Sequence, residues 1–313
     1  MNQVMTVIVY VGEYIHPDAL ALLKQGVQVV DTFDDIENID GMIIRAHRVD
    51  AALLRRAKKL KIIGKHGVGC DSIDLNAAKE CGVPVLNTPH ANTNSVAELI
   101  VGFALALCRQ IPYADAGCRR GEFTRIAPPQ LTGIELTGKT LGLIGMGNIA
   151  QRVAEILQQG FGMQVVGYDP YLDAHAAKQL GFEKLEDLRD VIEASDVVNV
   201  SVPLTRDTRY LISGNLFDAF RENAIFINAA RGGIVDEGDL YLALKSGKLR
   251  AAACDVFEEE PPTGQNPLLT LPNFCGTPHI GAATEEALYR MGMEVVTEVL
   301  GVFHGNQPQY RVV

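Results

Sequence analysis

Thr140-Leu-Gly-Leu-Ile-Gly145-Met-Gly147-Asn-Ile-Ala150 joins a short apolar strand to the helical pattern IAQRVAEILQQ through a turn of glycines. A nucleotide pyrophosphate needs a turn with no Cβ in its way, so that backbone N–H groups at the helix N-terminus face the phosphate oxygens. Gly145 permits the turn, Gly147 permits the close approach, and Ala150 lets the helix pack closely against the strand. The segment therefore predicts a dinucleotide-binding turn.

The next strand pattern, QVVGYD, ends in an acid, Asp169, at the spacing typical of a carboxylate that binds the adenosine ribose. A carboxylate there would repel a 2′-phosphate, which favours NAD over NADP. The alternative is a tight strand–helix turn that binds no ligand, because a glycine motif alone is weak evidence. The strand before it, the helix after it and the acid together favour NAD binding.

Short β-branched strand patterns alternate with helical patterns on both sides of this turn. Five of them lie in the first hundred residues, at 6–11, 27–30, 41–46, 61–64 and 83–87. Six more begin with the strand before the glycines, at 140–145, 164–169, 196–202, 224–230, 251–257 and 273–277. Such alternation is typical of βαβ units in parallel sheets. We therefore predict two α/β domains in tandem, with a tail from Glu285 that returns to the first.

A long apolar helix pattern, Ser95 to Gln110, and a proline-rich stretch separate the two runs of strands. Apolar residues occupy nearly all sides of the helix, which predicts burial between domains or at a subunit interface. Residues 111–138 contain three prolines and several glycines, and this composition predicts an arm or linker rather than part of a core.

Composition excludes several classes of protein. The chain has 313 residues, 47% of them hydrophobic, and a formal net charge of −10, which argues against nonspecific binding to nucleic acid or to a membrane surface. The longest apolar stretch, Val96 to Cys108, is shorter than the roughly 20 residues of a bilayer span. The N-terminus lacks a basic region and a cleavage site, and it predicts a first strand rather than a signal peptide. Six cysteines without a CxxC pair predict reduced thiols in a cytoplasmic protein with no metal site.

Three ionisable residues stand at or just beyond the ends of strand patterns in the second half: Arg231, Glu260 and His279. Parallel sheets place ligands at that edge. A histidine can donate a proton to a developing alkoxide, a carboxylate can orient the imidazole, and an arginine can hold an α-carboxylate bidentately. Each also has a structural alternative: a loop cap for the arginine, an acidic run for the glutamate, and a proline-adjacent structural role for the histidine.

Several motifs together resemble the D-isomer-specific 2-hydroxyacid dehydrogenase family, and most closely its D-3-phosphoglycerate dehydrogenase branch. They are Asn228-Ala-Ala-Arg231-Gly-Gly-Ile-Val-Asp-Glu, Asp255-Val-Phe-Glu-Glu-Glu260-Pro-Pro, Thr277-Pro-His279-Ile-Gly-Ala, Asn87-Thr-Pro, Val96-Ala-Glu-Leu and Leu136-Thr-Gly-Lys-Thr-Leu-Gly. The resemblance covers essentially the whole chain. It implies that Arg231 orients the substrate, that Glu260 is the partner of the histidine, and that His279 is the acid/base.

The resemblance also implies the ligand contacts. The residues implied for NAD are Thr88, Gly145, Gly147, Asn148, Ile149, Asp169, Val202, Ala229, Ala230, Arg231, Asp255, His279, Gly281 and Ala282. Asp255 is expected to hydrogen-bond the nicotinamide carboxamide. The residues implied for the substrate are Lys65, Gly67, Val68, Asn92, Arg231 and His279. Lys65 stands where many phosphoglycerate-type relatives carry an arginine, and His66 and His90 are bulkier than the usual residues there.

The family architecture implies a Rossmann dinucleotide-binding domain, residues 101–284, inserted in a flavodoxin-like substrate domain, residues 1–100 and 285–313. It also implies a homodimer through the long helix and the proline-rich arm. Because the sequence stops at Val313, a C-terminal regulatory domain and feedback control by serine are not expected.

The leading functional prediction is an NAD-dependent D-2-hydroxyacid dehydrogenase that acts on a small 2-hydroxy or 2-keto acid, with 3-phosphoglycerate as the first candidate. An anionic group at C3 is favoured because Lys65 and Arg45 lie near strand ends. Alternatives are a glyoxylate/hydroxypyruvate reductase or a dehydrogenase of another short anionic 2-hydroxy acid. An NADH-sensing, corepressor-like binding protein and a paralogue that binds NAD only structurally are weaker alternatives.

Overall fold

Two parallel sheets organise the chain in this computed structural model, which describes residues 6–313. Unit 1 combines the chain up to Ser95 with Ala282–Val313, and unit 2 is Val96–Gly281. The chain thus passes from unit 1 to unit 2 after Ser95 and returns after Gly281. Both positions lie a few residues before the predicted domain boundaries at residues 100 and 284. Residues 1–5, which precede the first predicted strand at 6–11, lie outside the described residues.

Unit 1 contains a five-stranded parallel sheet of order β2-β1-β3-β4-β5. Its strands are β1 Ile8–Tyr10, β2 Gln28–Val30, β3 Gly41–Ile44, β4 Ile62–Lys65 and β5 Val85–Leu86. Its helices are α1 Pro17–Lys24, α2 Ala51–Arg56, α3 Leu75–Glu80 and, from the end of the chain, α10 Glu285–Phe303. This strand order is the flavodoxin-like one, as predicted.

The C-terminal tail returns to unit 1, as the sequence predicts. The buried residues Val295, Val296 and Val299 of α10 belong to one core cluster with residues of β1, β3, β4 and α1. After α10 the chain runs beside β5, where Leu86 forms an antiparallel bridge with Arg311. The tail therefore completes the core of unit 1.

Unit 2 contains a seven-stranded parallel sheet of order β12-β11-β10-β9-β6-β7-β8. Its strands are β6 Thr140–Ile144, β7 Gln164–Tyr168, β8 Glu183–Lys184, β9 Val197–Val200, β10 Ile225–Asn228, β11 Ala251–Cys254 and β12 Phe274–Gly276. Read from β6, the order is the Rossmann arrangement with one added strand. The predicted fold class is confirmed, and only the two-residue β8 was not predicted.

The helices of unit 2 cover both faces of this sheet. They are α5 Ile111–Arg120, α6 Asn148–Phe161, α7 Ala174–Gln179, α8 Leu188–Ala194 and α9 Glu237–Lys245, and α4 Thr93–Cys108 leads into the unit. Ile225 and Ile227 belong to one core cluster and Phe226 to the other. That division follows from strand geometry, because successive side chains point to opposite faces.

The segment 111–138, which is predicted to be an arm or linker rather than part of a core, begins with the helix α5 Ile111–Arg120, in which only Gly117 is buried. Pro112 lies in the first turn of this helix, where its missing N–H group has no intrahelical partner to lose. Gly121 ends the helix with φ of +68°.

Among the described residues no single helix is long and apolar enough to span a membrane. Only α4 and α5 taken together, with a bend of 59° between them, reach that length and apolarity.

Candidate active site

The glycine turn between β6 and α6 has the backbone that its sequence predicts. Gly145 has φ of +87°, and a Cβ there would lie 2.6 Å from the Ser201 carbonyl oxygen, so only glycine fits without a shift. A Cβ on Gly147 would meet nothing within 4 Å, and no side chain caps the helix that begins after it. The start of α6 is therefore open at Gly147 and has no side-chain cap, which suits an anionic ligand.

Asp169 lies just beyond β7 and contacts this turn directly. Its Oδ2 accepts a hydrogen bond from the Met146 N–H at 3.0 Å, and its Oδ1 accepts one from the Tyr171 N–H at 2.9 Å. A carboxylate has about four acceptor positions, so capacity for ribose hydroxyls is left. Val202, at the end of the neighbouring β9, packs against the same turn.

Arg231 follows β10 in a loop that is held by a buried side chain of that strand. Asn228 is 2% exposed; its Oδ1 accepts from the Ala230 N–H and its Nδ2 donates to the Arg231 carbonyl, both at 3.0 Å. The Arg231 Nη1 donates to the Ala230 carbonyl at 2.6 Å. A Cβ on Gly232 would come within 1.8 Å of the Phe257 carbonyl oxygen, so this loop touches the segment that leads to Glu260.

His279 and Glu260 form the central pair of the site. The imidazole Nδ1 and the carboxylate Oε2 are 2.9 Å apart, and the Phe257 N–H donates to Oε1 at 3.1 Å. Partial burial raises the pKa of Glu260. The hydrogen bond and charge of His279, the Phe257 N–H and the Arg231 cation outweigh burial and lower the pKa below its ordinary value. The ionised carboxylate accepts from Nδ1, which leaves Nε2 as the nitrogen for a ligand.

The backbone of His279 adopts an unusual conformation, with φ of +56°. A non-glycine residue in this region is strained by about 1–3 kcal/mol unless its surroundings hold it there. Its N–H donates to the Asp255 carbonyl at 2.7 Å and to the Thr277 carbonyl at 3.0 Å. The Asp255 carboxylate, on a residue that is 1% exposed, accepts from the Thr277 hydroxyl and from the Ile280 and Gly281 N–H groups.

In unit 1 a short loop after β4 carries the predicted substrate residues. Gly67 has φ of +136°, and its N–H donates to the Thr88 Oγ1 at 3.0 Å. The Asn87 side chain donates to the Val68 carbonyl at 2.8 Å. Lys65 is 7% exposed, and its ammonium donates to the Arg45 carbonyl. The Asn87-Thr-Pro motif thus fixes the loop that follows β4.

His66 in the same loop is buried and neutral at pH 7. It is 3% exposed, and neither ring nitrogen makes a hydrogen bond of good geometry among the described residues, although the Leu288 backbone lies near the ring. Burial and the positive charges of Arg45 and Lys65 lower its pKa to about 4, against the opposing effects of the Leu288 carbonyl and Glu13. Asn92 is 9% exposed, and its Oδ1 likewise has no partner within residues 6–313.

Comparison with known proteins gives one consistent result. Residues 101–281 match the family model "D-isomer specific 2-hydroxyacid dehydrogenase, NAD binding domain". A D-3-phosphoglycerate dehydrogenase of Methanocaldococcus jannaschii is 43% identical over 95% of this chain and 57% of its own length. A hydroxypyruvate reductase of Thermotoga maritima is 41% identical over 93% of this chain and 96% of its own length. The crystal structure of the TT0316 protein from Thermus thermophilus superposes with a TM-score of 0.90 at 35% identity, covering 98% and 100% of the two chains.

The chain belongs to the D-isomer specific 2-hydroxyacid dehydrogenase family. Its cofactor is NAD, and the residues present fit that dinucleotide: the turn at Gly147 is open and uncapped, and Asp169 lies beside it. The chain spans little more than half the length of the curated D-3-phosphoglycerate dehydrogenases that it matches.

The sequence did not predict a role for two polar residues that hold this site in place. Asn228 and Thr277 make the hydrogen bonds described above, yet neither was predicted to have a role. Asn228 had a detectable signal, because a polar residue in the apolar strand pattern AIFINAA calls for a buried partner. Thr277 had none, because its partner Asp255 lies 22 residues away along the chain.

Proposed function

We propose that this chain is an NAD-dependent D-2-hydroxyacid dehydrogenase that interconverts a small 2-hydroxy acid and its 2-keto acid. Bound NAD would accept or supply the hydride. The observation that carries the proposal is the 2.9 Å hydrogen bond between His279 and Glu260, with the Arg231 cation acting on the same carboxylate. Reduction of a 2-keto acid needs a proton donor and a group that binds the α-carboxylate. The imidazole, oriented by an ionised carboxylate, supplies the first, and the arginine supplies the second.

In this proposal His279 donates a proton from Nε2 to the alkoxide oxygen during reduction and removes it during oxidation. Glu260 stays ionised because its pKa is lowered, so it keeps Nδ1 protonated and stabilises the imidazolium. Arg231 holds the α-carboxylate with the parallel N–H donors of its guanidinium.

The predicted cofactor contacts stay part of the proposal. The N–H groups at Gly147, Asn148 and Ile149 bind the pyrophosphate, and Asp169 binds the ribose hydroxyls. The remaining contacts proposed for NAD are Thr88, Gly145, Val202, Ala229, Ala230, Arg231, Asp255, His279, Gly281 and Ala282. Asp255 already accepts three hydrogen bonds from the protein, so its carboxylate has room for about one donor from the carboxamide.

The first candidate substrate is 3-phosphoglycerate, held by the loop 65–69 and Asn92. Support comes from Lys65 and Arg45, which are in direct contact in unit 1, since the Lys65 ammonium donates to the Arg45 carbonyl. Cations so placed suit a phosphate at C3. The second candidate is hydroxypyruvate, supported by the Thermotoga maritima reductase that matches along 96% of its own length.

The test is NAD-linked oxidation of 3-phosphoglycerate by the purified protein, with a coupled trap for the product. Glycerate, lactate, sulfolactate, glyoxylate and hydroxypyruvate are assayed beside it in the appropriate direction. A kcat/KM above roughly 10⁴ M⁻¹s⁻¹ with 3-phosphoglycerate is the expected result. Preference for hydroxypyruvate would establish the second candidate, and NADH binding with no turnover of any of these acids would favour a sensing protein.

The variant Lys65→Met tests whether Lys65 contacts the phosphate group of the substrate. Loss of a charge-assisted contact should raise KM for 3-phosphoglycerate about 10–100-fold while KM for glycerate changes little. Lys61→Met is the matched control, because that lysine is 60% exposed in its side chain and pairs with Asp40 at 3.2 Å. Equal KM changes for both substrates in Lys65→Met would contradict a phosphate contact.

We also propose that the protein is a homodimer through the arm and the end of α4. Support comes from Ile126, which is 97% exposed, and from a concavity of about 380 Å³ lined by residues that include Leu107, Tyr113 and Phe274. Light scattering after gel filtration tests this, with Ile126→Asp expected to weaken the dimer; a monomeric wild-type protein would refute it.

A cytoplasmic location stays a prediction from the sequence.

A further inference from the structure

The Asp255 carboxylate accepts three hydrogen bonds from residues on both sides of His279 in the chain. Its Oδ1 accepts from the Thr277 hydroxyl at 2.6 Å and from the Ile280 N–H at 2.7 Å, and its Oδ2 accepts from the Gly281 N–H at 2.8 Å. Its own carbonyl accepts from the His279 N–H at 2.7 Å. One buried residue therefore binds the chain on both sides of the imidazole.

This network maintains a backbone conformation that an isolated histidine would avoid. The φ of His279 is +56°, and such a conformation persists only when neighbouring bonds enforce it. The space is tight, since a Cβ on Gly281 would lie 3.0 Å from the Asp255 Oδ2. A rotation of the carboxylate would release the Ile280 and Gly281 N–H groups together, because they bind its two oxygens.

Thr277 is the side chain that fixes this carboxylate. Within the described part of the chain its hydroxyl is the one side-chain donor recorded to Asp255, and the other two donors belong to the turn itself. The Thr277 N–H donates to the Cys254 carbonyl at 3.0 Å, which anchors the hydroxyl from a neighbouring strand. The Thr277 hydroxyl lies outside the turn 279–281 and orients the Asp255 carboxylate, and that carboxylate in turn binds the backbone of the turn.

We propose that Thr277 is a positioning residue for His279, whose hydroxyl locks the Asp255 carboxylate so that the turn 279–281 aims the imidazole at Glu260 and at the reacting oxygen. The inference rests on the proposed function for its kinetic consequence. It adds a residue whose side chain touches neither His279 nor Glu260 in the recorded hydrogen bonds.

The kinetic test uses Thr277→Val, which keeps the shape of the side chain and removes only the hydroxyl. Loss of a hydrogen bond to a charged group should lower kcat about tenfold, while KM for the hydroxy acid stays within about twofold. Thr277→Ser should restore kcat to within about twofold of wild type. Thr270→Val is the matched control, because the Thr270 hydroxyl donates to the Pro267 carbonyl in an exposed loop of the same unit.

The inference is overturned if kcat of Thr277→Val stays within twofold of wild type, or if Thr277→Ser is as impaired as the valine variant. It is also overturned if the loss of kcat in Thr277→Val is accompanied by a large fall in Tm, since that pattern indicates general disruption.

A spectroscopic measurement tests the same inference without turnover, so it stands even if the proposed function fails. In protein labelled with ¹⁵N-histidine, the proton on His279 Nδ1 that is shared with Glu260 should give a downfield signal, assigned by its loss in His279→Gln. We expect this signal to broaden or vanish in Thr277→Val and to persist in Thr277→Ser and Thr270→Val. An unchanged signal in Thr277→Val would refute the positioning role, whereas a wild-type protein without dehydrogenase activity would refute only the proposed function.

Discussion

Replacement of Gly145 by alanine tests the interpretation of the cofactor turn, because the structure gives both its backbone angle and its nearest atoms. At a φ of +87°, a Cβ would lie 2.6 Å from the Ser201 carbonyl oxygen and 2.7 Å from Val202 Cγ1. The positive φ destabilises a non-glycine residue by about 1–3 kcal/mol. Relief of the overlap adds about 1–3 kcal/mol, as is typical of overpacking.

The free energy of unfolding should therefore fall by roughly 2–6 kcal/mol in Gly145→Ala. For a domain the size of unit 2 this corresponds to a decrease in Tm of roughly 4–24 °C. Circular dichroism at 222 nm during heating measures it. An alanine variant that melts with the wild-type protein would refute the steric argument.

Gly147→Ala is the matched comparison, because the two glycines lie two residues apart and differ in surroundings. Gly147 has φ of −73°, and a Cβ there meets nothing within 4 Å, so stability should change by less than about 0.5 kcal/mol. The new methyl group stands where the pyrophosphate approaches, and NADH affinity should fall about tenfold or more. NADH fluorescence measures this in a chain that has no tryptophan. Wild-type NADH affinity in Gly147→Ala would mean that the phosphates bind elsewhere.

Three further outcomes are expected. His279→Ala should lower kcat by about 10²–10⁴ while the dissociation constant of NADH barely changes, and a kcat near wild type in steady-state assays would exclude this acid/base. Asp169→Asn keeps the size of the side chain but removes the charge and one of the two acceptor oxygens, so the ratio of kcat/KM for NAD over NADP should fall about tenfold; an unchanged ratio would exclude ribose recognition by Asp169. Glu13 accepts three backbone N–H bonds, from residues 45 to 47, which outweigh burial and lower its pKa. The ionised Glu13 therefore stabilises the folded protein fully at any pH above the ordinary carboxyl pKa. This stabilisation is lost as the pH falls through the lowered pKa of the folded protein. Urea unfolding should find Glu13→Gln less stable than wild type by about 1–2 kcal/mol at pH 7, with a difference that shrinks as the pH falls below the ordinary carboxyl pKa; a difference independent of pH would contradict this.

Local patterns in the sequence were sufficient to predict both sheets and eleven of the twelve strands. Each strand depends on a short apolar run between turn residues, and that signal needs no information from the rest of the chain. Two elements were not predicted, because their local signals are weak. The strand β8 has two residues, and α5 has a proline in its first turn and the composition of a linker.

The same distinction holds at the site. That Arg231, Glu260 and His279 share one edge follows from the sequence, because the carboxyl ends of parallel strands point the same way. The distance between His279 and Glu260 does not follow, since it depends on the fold of a segment in which they lie 19 residues apart. The unpaired nitrogens of His66 also depend on tertiary packing, because burial and the nearby cations come from other segments.

The sequence by itself determined that a glycine turn follows a strand and opens a helix, because glycine conformation and strand periodicity are local properties. It also determined which ionisable residues end the strands. Only the tertiary structure decided how those residues are held: Asn228 fixes the loop of Arg231, and Thr277 fixes the carboxylate that shapes the turn of His279. The physical reason is that a buried hydrogen bond depends on the distance between two segments, and the packing of the whole sheet sets that distance.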